Sequence, residues 1–210
     1  MDMMDLSCRE YAERLSSKSP VPGGGGTAAL AGALAASLGC MVGSLTAGKK
    51  KYAEVTPRIL ELMEKAKSLE EELLELAQKD AEVFGPLSEA YGLPKDTDEA
   101  KAYRTAVMEK CLKDAAGVPL QVMEKCCECV ALAEEFALKG SRLAVSDAGC
   151  GAALLRAALQ SAALNVYINT RMMADRSLAQ EMNAKAGAML RVYAAQAEDV
   201  YDSVRDGLDG

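Results

Sequence analysis

At 210 residues the chain is long enough for a substantial core, and residues 1–210 are read as one domain. A formal net charge of -7 argues against a general nucleic-acid binder, and seven cysteines without paired spacing point to free thiols in a reducing, cytoplasmic setting. The chain has no histidine, which excludes Ser–His–Asp triads, Cys–His pairs and histidine-ligated metal sites, so no metal is expected.

In chain order, the pattern from about Leu6 to Ser17 predicts a short amphipathic helix with Leu6, Tyr11 and Leu15 on its apolar side. The segment from Ser19 to Lys51, SPVPGGGGTAALAGALAASLGCMVGSLTAGKKK, is the most distinctive. Pro20, Pro22 and Gly23, Gly24, Gly25 and Gly26 predict an irregular approach, with Thr27 as the N-cap of the helix behind it. Leu30, Leu34, Leu38, Val42 and Leu45 recur on one face of that helix. Gly32, Ala36, Gly39 and Gly43 form a second face on which a neighbouring backbone can approach closely. Backbone N–H groups at such a helix start make a ready site for an anion or a carbonyl. The uncharged run is long enough to span a membrane, but its Ala, Gly, Ser and Thr content favours a buried soluble helix, and no membrane contact is expected. Gly43 to Lys49 matches the spacing of a phosphate-binding loop, yet it closes a helix and places Lys50 where Ser or Thr should stand. That match carries nothing.

Thr56-Pro57 opens the next helix, whose stripe runs through Ile59, Leu62, Ala66, Leu69, Leu73, Leu76 and Val83. Asp80 falls in phase with that stripe. A carboxylate there is costly to bury unless it is paired or functional. Gly85-Pro86 predicts the end of this helix, and Gly117-Val118-Pro119 an interruption between Glu99–Ala115 and a continuation to about Leu138. Cys126 and Cys129 form a lone CxxC in a helical pattern and read as buried thiols. Ser146 and Asp147 cap an Ala-rich helix reaching about Ala174, along which Ser161, Asn165 and Asn169 repeat every four residues. Buried amides need partners, so this row bonds a neighbouring backbone or faces a ligand. A last helix spans about Leu178 to Val204. With no sustained β-branched alternation, the fold class is all-α, an antiparallel bundle of about six helices. Two Ala/Gly-rich helices offer more close-packing surface than one bundle needs, which points to a homodimer.

Taken together, PVPGGGG, the Ala/Gly helix and GKKKY resemble the cyclodeaminase/cyclohydrolase family acting on tetrahydrofolate one-carbon derivatives. KDAEVF, YGLPKDTDE, VSDAG and SAALNVYIN match in order, so the resemblance covers nearly the whole chain. It implies a helical dimer that either hydrolyses 5,10-methenyltetrahydrofolate to 10-formyltetrahydrofolate or cyclises 5-formiminotetrahydrofolate with loss of ammonia. The YGLPKDTDE loop is especially similar to the stand-alone cyclohydrolases, which favours the first reaction. In place of the family's Gly-Asn-x-Asn segment this chain has Gly140-Ser141-Arg142-Leu143, a departure that bears on substrate binding or choice.

Both reactions need a proton acceptor near the carbon between N5 and N10, and without histidine a desolvated carboxylate is the natural group. Asp80 and Asp147 are the candidates. Pro22, the four glycines, Ser146 and Asn165 are expected to bind substrate, with Lys49 and Lys50 meeting its anionic glutamate tail. No cofactor is implied beyond the folate itself. The competing reading is a non-enzymatic helical adaptor that dimerises through its Gly/Ala helix, which leaves Asp80 and the glycine and lysine clusters without a role.

Overall fold

The computed structural model describes residues 2–209, and no strand occurs among them. The helices are α1 (Cys8–Leu15), α2 (Gly24–Ser44), α3 (Thr56–Tyr91), α4 (Asp98–Lys139), α5 (Val145–Met172), α6 (Arg176–Met189) and α7 (Ala195–Leu208). A π-helical stretch, Leu190–Ala194, joins α6 to α7 in one continuous rod. Six helical rods result, in agreement with the expected all-α bundle.

Four of them, α2 to α5, form the core in up-down-up-down order. Gly25 and Gly43 of α2 face Asp80 and Met63 of α3, so those two helices are antiparallel. Gly24 and Gly151 tie α2 to Asn165 and α5 to Ala35 in the same antiparallel sense. The small face of α2 makes these approaches possible. A Cβ on Gly32 would lie 2.8 Å from Cys126 Sγ, and one on Gly39 would lie 2.8 Å from the Phe136 ring. Ala28, Ala29, Ala33, Ala35 and Ala36 are buried on the same side. The leucine face is split: Leu34 and Leu45 are exposed, as is Met41 beside them, whereas Val42 of the same face is fully buried. By length and apolarity α2 is sufficient to cross a membrane, but in this fold its small face is packed into the bundle.

Two expected breaks are absent. Helix α3 runs through Gly85-Pro86 and α4 through Pro119. A helical proline removes the donor for the carbonyl four residues back. At Pro86 that carbonyl belongs to exposed Glu82, where water can serve it, while Leu87 and Ala90 continue the buried stripe. At Pro119 it belongs to buried Ala115, and Asn169 Nδ2 of α5 donates to Ala115 O at 2.9 Å. One member of the asparagine row is therefore structural, replacing the N–H that proline lacks.

The cysteine pair lies inside. Cys126 and Cys129 are buried and free, and burial pushes the Cys129 thiol up to about 12. A group held that high is an inert thiol at neutral pH.

Asn169→Ala is expected to leave Ala115 O unpaired and to cost about 1–3 kcal/mol of stability in urea unfolding. In a Pro119→Ala background the backbone N–H returns, and the same change should cost clearly less. Equal costs in both backgrounds would show that the two residues are not coupled.

Candidate functional site

Asp80 and the first turn of α2 form one unit. Helix α2 begins at Gly24, three residues before the Thr27 cap expected from the sequence. The glycines are thus helical from their second member onward and do not form an irregular loop. Thr27 lies inside the helix, where its hydroxyl donates to Gly23 O at 2.8 Å. What starts the helix early is the Asp80 carboxylate: Gly26 N–H donates to Asp80 Oδ2 at 2.8 Å. That bond satisfies one of the donors that every helix start leaves free. A Cβ on Gly25 would stand 2.2 Å from Asp80 Oδ1, so only glycine lets the carboxylate lie over this turn. Tyr11 of α1 closes one side, its hydroxyl 3.4 Å from Thr27 Oγ1. Its sequence pattern places Tyr11 only on an apolar face; nothing in its spacing ties it to the glycines.

No cation lies within salt-bridge distance of Asp80 among the described residues. Burial raises its carboxyl above the usual 3.8, opposed by the bond from Gly26. A carboxylate desolvated without a counter-charge accepts a proton more readily than a solvated one. Asn165 stands on the other side of the helix start, its amide beside Gly24. Its Nδ2 donates to Ser161 O at 2.8 Å, which leaves its oxygen available as an acceptor. Gly24 itself is exposed, so solvent reaches the helix start.

The family model for formiminotransferase-cyclodeaminase matches residues 7–188. The chain belongs to that family. It is 42% identical over 195 residues to the methenyltetrahydrofolate cyclohydrolase of Methylorubrum extorquens, an alignment covering 93% of this chain and 94% of that protein. It is 29% identical over 202 residues to mouse formimidoyltransferase-cyclodeaminase, covering 96% of this chain but 37% of that longer protein. A crystal structure of formiminotetrahydrofolate cyclodeaminase from Thermotoga maritima superposes with a TM-score of 0.82 at 27% identity, covering 97% of this chain and 99% of that one.

Within this family member the other expected site residues lie elsewhere. Helices α2 and α5 are antiparallel, so their ends separate what the motifs suggested together. From Asp147 to Asn165 along α5 is roughly 27 Å at the usual rise of 1.5 Å per residue. Ser146 and Asp147 occupy the first turn of α5 and do not cap it; the cap position is Ala144, without a side-chain bond. Lys49 and Lys50 follow the opposite end of α2 from Gly24. Lys49 Nζ donates to Ser141 Oγ at 3.3 Å, and Ser141 N–H donates to Thr46 Oγ1 at 2.8 Å. These bonds hold the turn after α2 against the Gly140–Arg142 corner, a structural use for Lys49 and for the departure at Ser141. An open groove of about 680 Å³ at this end is lined by Lys51, Tyr52, Lys139 and Arg142, and not by Lys49 or Lys50.

The raised carboxyl of Asp80 has a consequence for stability. Because the folded chain holds this proton to higher pH than the unfolded chain, its contribution is complete below about 3.8 and is lost as pH rises through the raised value. Asp80→Asn keeps an acceptor for Gly26 N–H and removes the charge. The variant is therefore expected to be at least as stable as wild type at pH 7 in urea unfolding, with the difference shrinking as pH falls towards 4. A variant clearly less stable at pH 7 would mean that the charge has a stabilising partner.

Proposed function

We propose that this protein hydrolyses 5,10-methenyltetrahydrofolate to 10-formyltetrahydrofolate, with Asp80 as the proton acceptor. The observation that carries the reading is a half-buried, partly desolvated carboxylate with no cationic partner, held over the glycine turn that opens α2. Support for this reaction over its sibling comes from the 42% identity, over nearly full length, to a protein named for it.

The chemistry suits such a carboxylate. The bridging carbon between N5 and N10 carries delocalised positive charge, which a nearby carboxylate favours. Water attacks this carbon, a C–O bond forms, and Asp80 takes one of the water's protons. The C–N5 bond then breaks as N5 receives that proton, and the remaining hydroxyl proton leaves to solvent as the formyl group forms on N10. Asn165, with its free oxygen, accepts from the donor-rich pterin edge, and the N–H of exposed Gly24 at the start of α2 donates to an oxygen of the substrate. Pro22 and Gly23 position that turn. Asp147, Ser146, Lys49 and Lys50 have no part in the step within one chain, because the bundle's length separates them from Asp80.

We also propose that the protein is a symmetric dimer. Leu34 at 52% exposure on α2, and Leu164 at 68% and Ile168 at 54% on successive turns of α5, are large apolar side chains left uncovered. A second copy of the chain would cover them. A monomeric mass by sedimentation at micromolar concentration would contradict the dimer.

A second reading rests on the 27% identical cyclodeaminase structure and the longer cyclodeaminase relatives. In it, N10 attacks the formimino carbon and ammonia leaves. The two are separated by assay: the purified protein should accelerate loss of methenyltetrahydrofolate absorbance over the spontaneous rate, without added metal. Formation of that absorbance from the formimino compound, with no hydrolysis, would give the cyclodeaminase reading.

Asp80→Asn is expected to lower turnover by roughly 10²-fold or more, the scale for loss of a general base. Gly25→Ala should do comparable damage through geometry, since its Cβ displaces the carboxylate. Unchanged turnover in Asp80→Asn would remove Asp80 from the reaction.

A further inference from the structure

The two clusters that flank α2 in the sequence stand at opposite ends of one chain, and each lacks a counterpart there. At the end that follows α2, Lys49, Lys50, Lys51 and Arg142 form no ion pair among the described residues. Lys49 Nζ donates to Ser141 Oγ at 3.3 Å and Arg142 N–H to the Tyr52 hydroxyl at 3.2 Å, which gathers them into one corner. In a chain of net charge -7 this corner is a local excess of positive charge. At the other end Asp80 and the glycine turn have no cation within salt-bridge distance of the carboxylate.

The surface between the two ends is uncharged. From Gly24 to Gly48 the chain has no charged residue, and α2 with its C-cap leaves Thr27, Leu30, Leu34, Leu38, Met41 and Leu45 exposed or half-buried along one side. Every exposed residue of α5 from Cys150 to Ile168 is uncharged as well. A second copy on this surface is related to the first by a two-fold axis that runs along the helices or across them. An axis along the helices sets the two basic corners side by side, which like-charge repulsion opposes. An axis across them turns one copy end for end, so that each basic corner meets the partner's glycine turn.

The outward side of α2 is centred between Ser37 and Leu38. Pairing about that point sets Leu34 against the partner's Met41 and Thr27 against the partner's Gly48. The partner's Lys50, two residues further on, then arrives on the outer side of the first α2 turn, while Asp80 holds the inner side beside buried Gly25. The same corner comes level with Asn165, where Leu164 and Ile168 are uncovered in one chain.

We propose that the active site is assembled from two chains, the partner's Lys50 binding the glutamyl carboxylate of the folate on which Asp80 acts. This inference rests on the folate reading above. In a folate derivative an aminobenzoyl ring and an amide join the reacting carbon to the glutamyl carboxylates. Bond lengths near 1.3–1.5 Å make that span about 10 Å, which matches the roughly 8–10 Å between packed helices. Lys50 is the member free for this contact, because Lys49 is bonded to Ser141 and Lys51 lies over its own Tyr52 ring. The motifs on either side of α2 thus serve one site, made by two copies.

The test is complementation between chains. Asp80→Asn and Lys50→Glu chains with different affinity tags are co-expressed, and the heterodimer is isolated by two successive affinity steps. One of its two sites then holds both Asp80 and Lys50, so its kcat/KM for methenyltetrahydrofolate should be about half that of wild type, with each parent homodimer lowered about tenfold or more. If both residues acted within one chain, every site of the heterodimer would be defective. Activity no higher than the mean of the parents, or failure of differently tagged wild-type chains to associate, would overturn the proposal. Lys50→Glu alone should raise KM about tenfold and leave kcat within about twofold, with no change in KM for the tetrahydropteroate counterpart that lacks the glutamate. Equal shifts on both substrates would also overturn it. Calorimetry with 5-formyltetrahydrofolate reads the shared site without chemistry. Gly24→Leu crowds Asn165 at the helix start, and its heterodimer with Lys50→Glu should bind one tight equivalent per dimer. That result upholds the shared site even if wild type shows no turnover, which would sink only the reaction. Absence of any folate binding to wild type would overturn both.

Discussion

The contact between the Asp80 carboxylate and the first turn of α2 governs much else in this molecule. A carboxylate placed over a helix start gains a backbone donor and the favourable end of the helix dipole. Here it must approach so closely that a Cβ at Gly25 would collide with it. The glycine run is therefore less a flexible lead-in than a set of positions from which side chains are excluded. Three of the four glycines are helical because Asp80 supplies the acceptor that a capping side chain would otherwise provide. The same contact fixes where α2 begins, and so how far α3 and α5 project beyond it.

Asp80 was legible in the sequence because its phase on α3 is a property of spacing alone. The glycine turn was legible as special but not as helical, since the donor–acceptor pair that starts it joins residues far apart in the chain. The two prolines misled for a related reason. A proline ends a helix only if the freed carbonyl goes unserved, and Pro119 is tolerated because Asn169 of another helix reaches Ala115. The asparagine row was visible, but its division of labour was not: Asn169 is spent on backbone, while Asn165 keeps an unused oxygen.

Motif adjacency was a poor guide to spatial adjacency. The glycines and lysines bracket α2, and in a linear reading they form one site. A helix of 21 residues carries them apart instead, and the antiparallel α5 does the same to Asn165 and Asp147.

Keeping a desolvated carboxylate without a cationic partner has to be offset elsewhere, and the small-residue face of α2 is suited to that. Close approach of α2 to α3, α4 and α5 increases dispersion contacts and buries backbone that longer side chains would hold apart. It also leaves Leu34 and Met41 of α2 on the outside, while Val42 packs inward. The small face stabilises the bundle around Asp80; the large face is free to associate. A leucine-in arrangement would have reversed both outcomes, widening the gap between α2 and α3 until Asp80 no longer met Gly26. The packing of α2 and the chemistry available at Asp80 are thus set by one choice of which face turns inward.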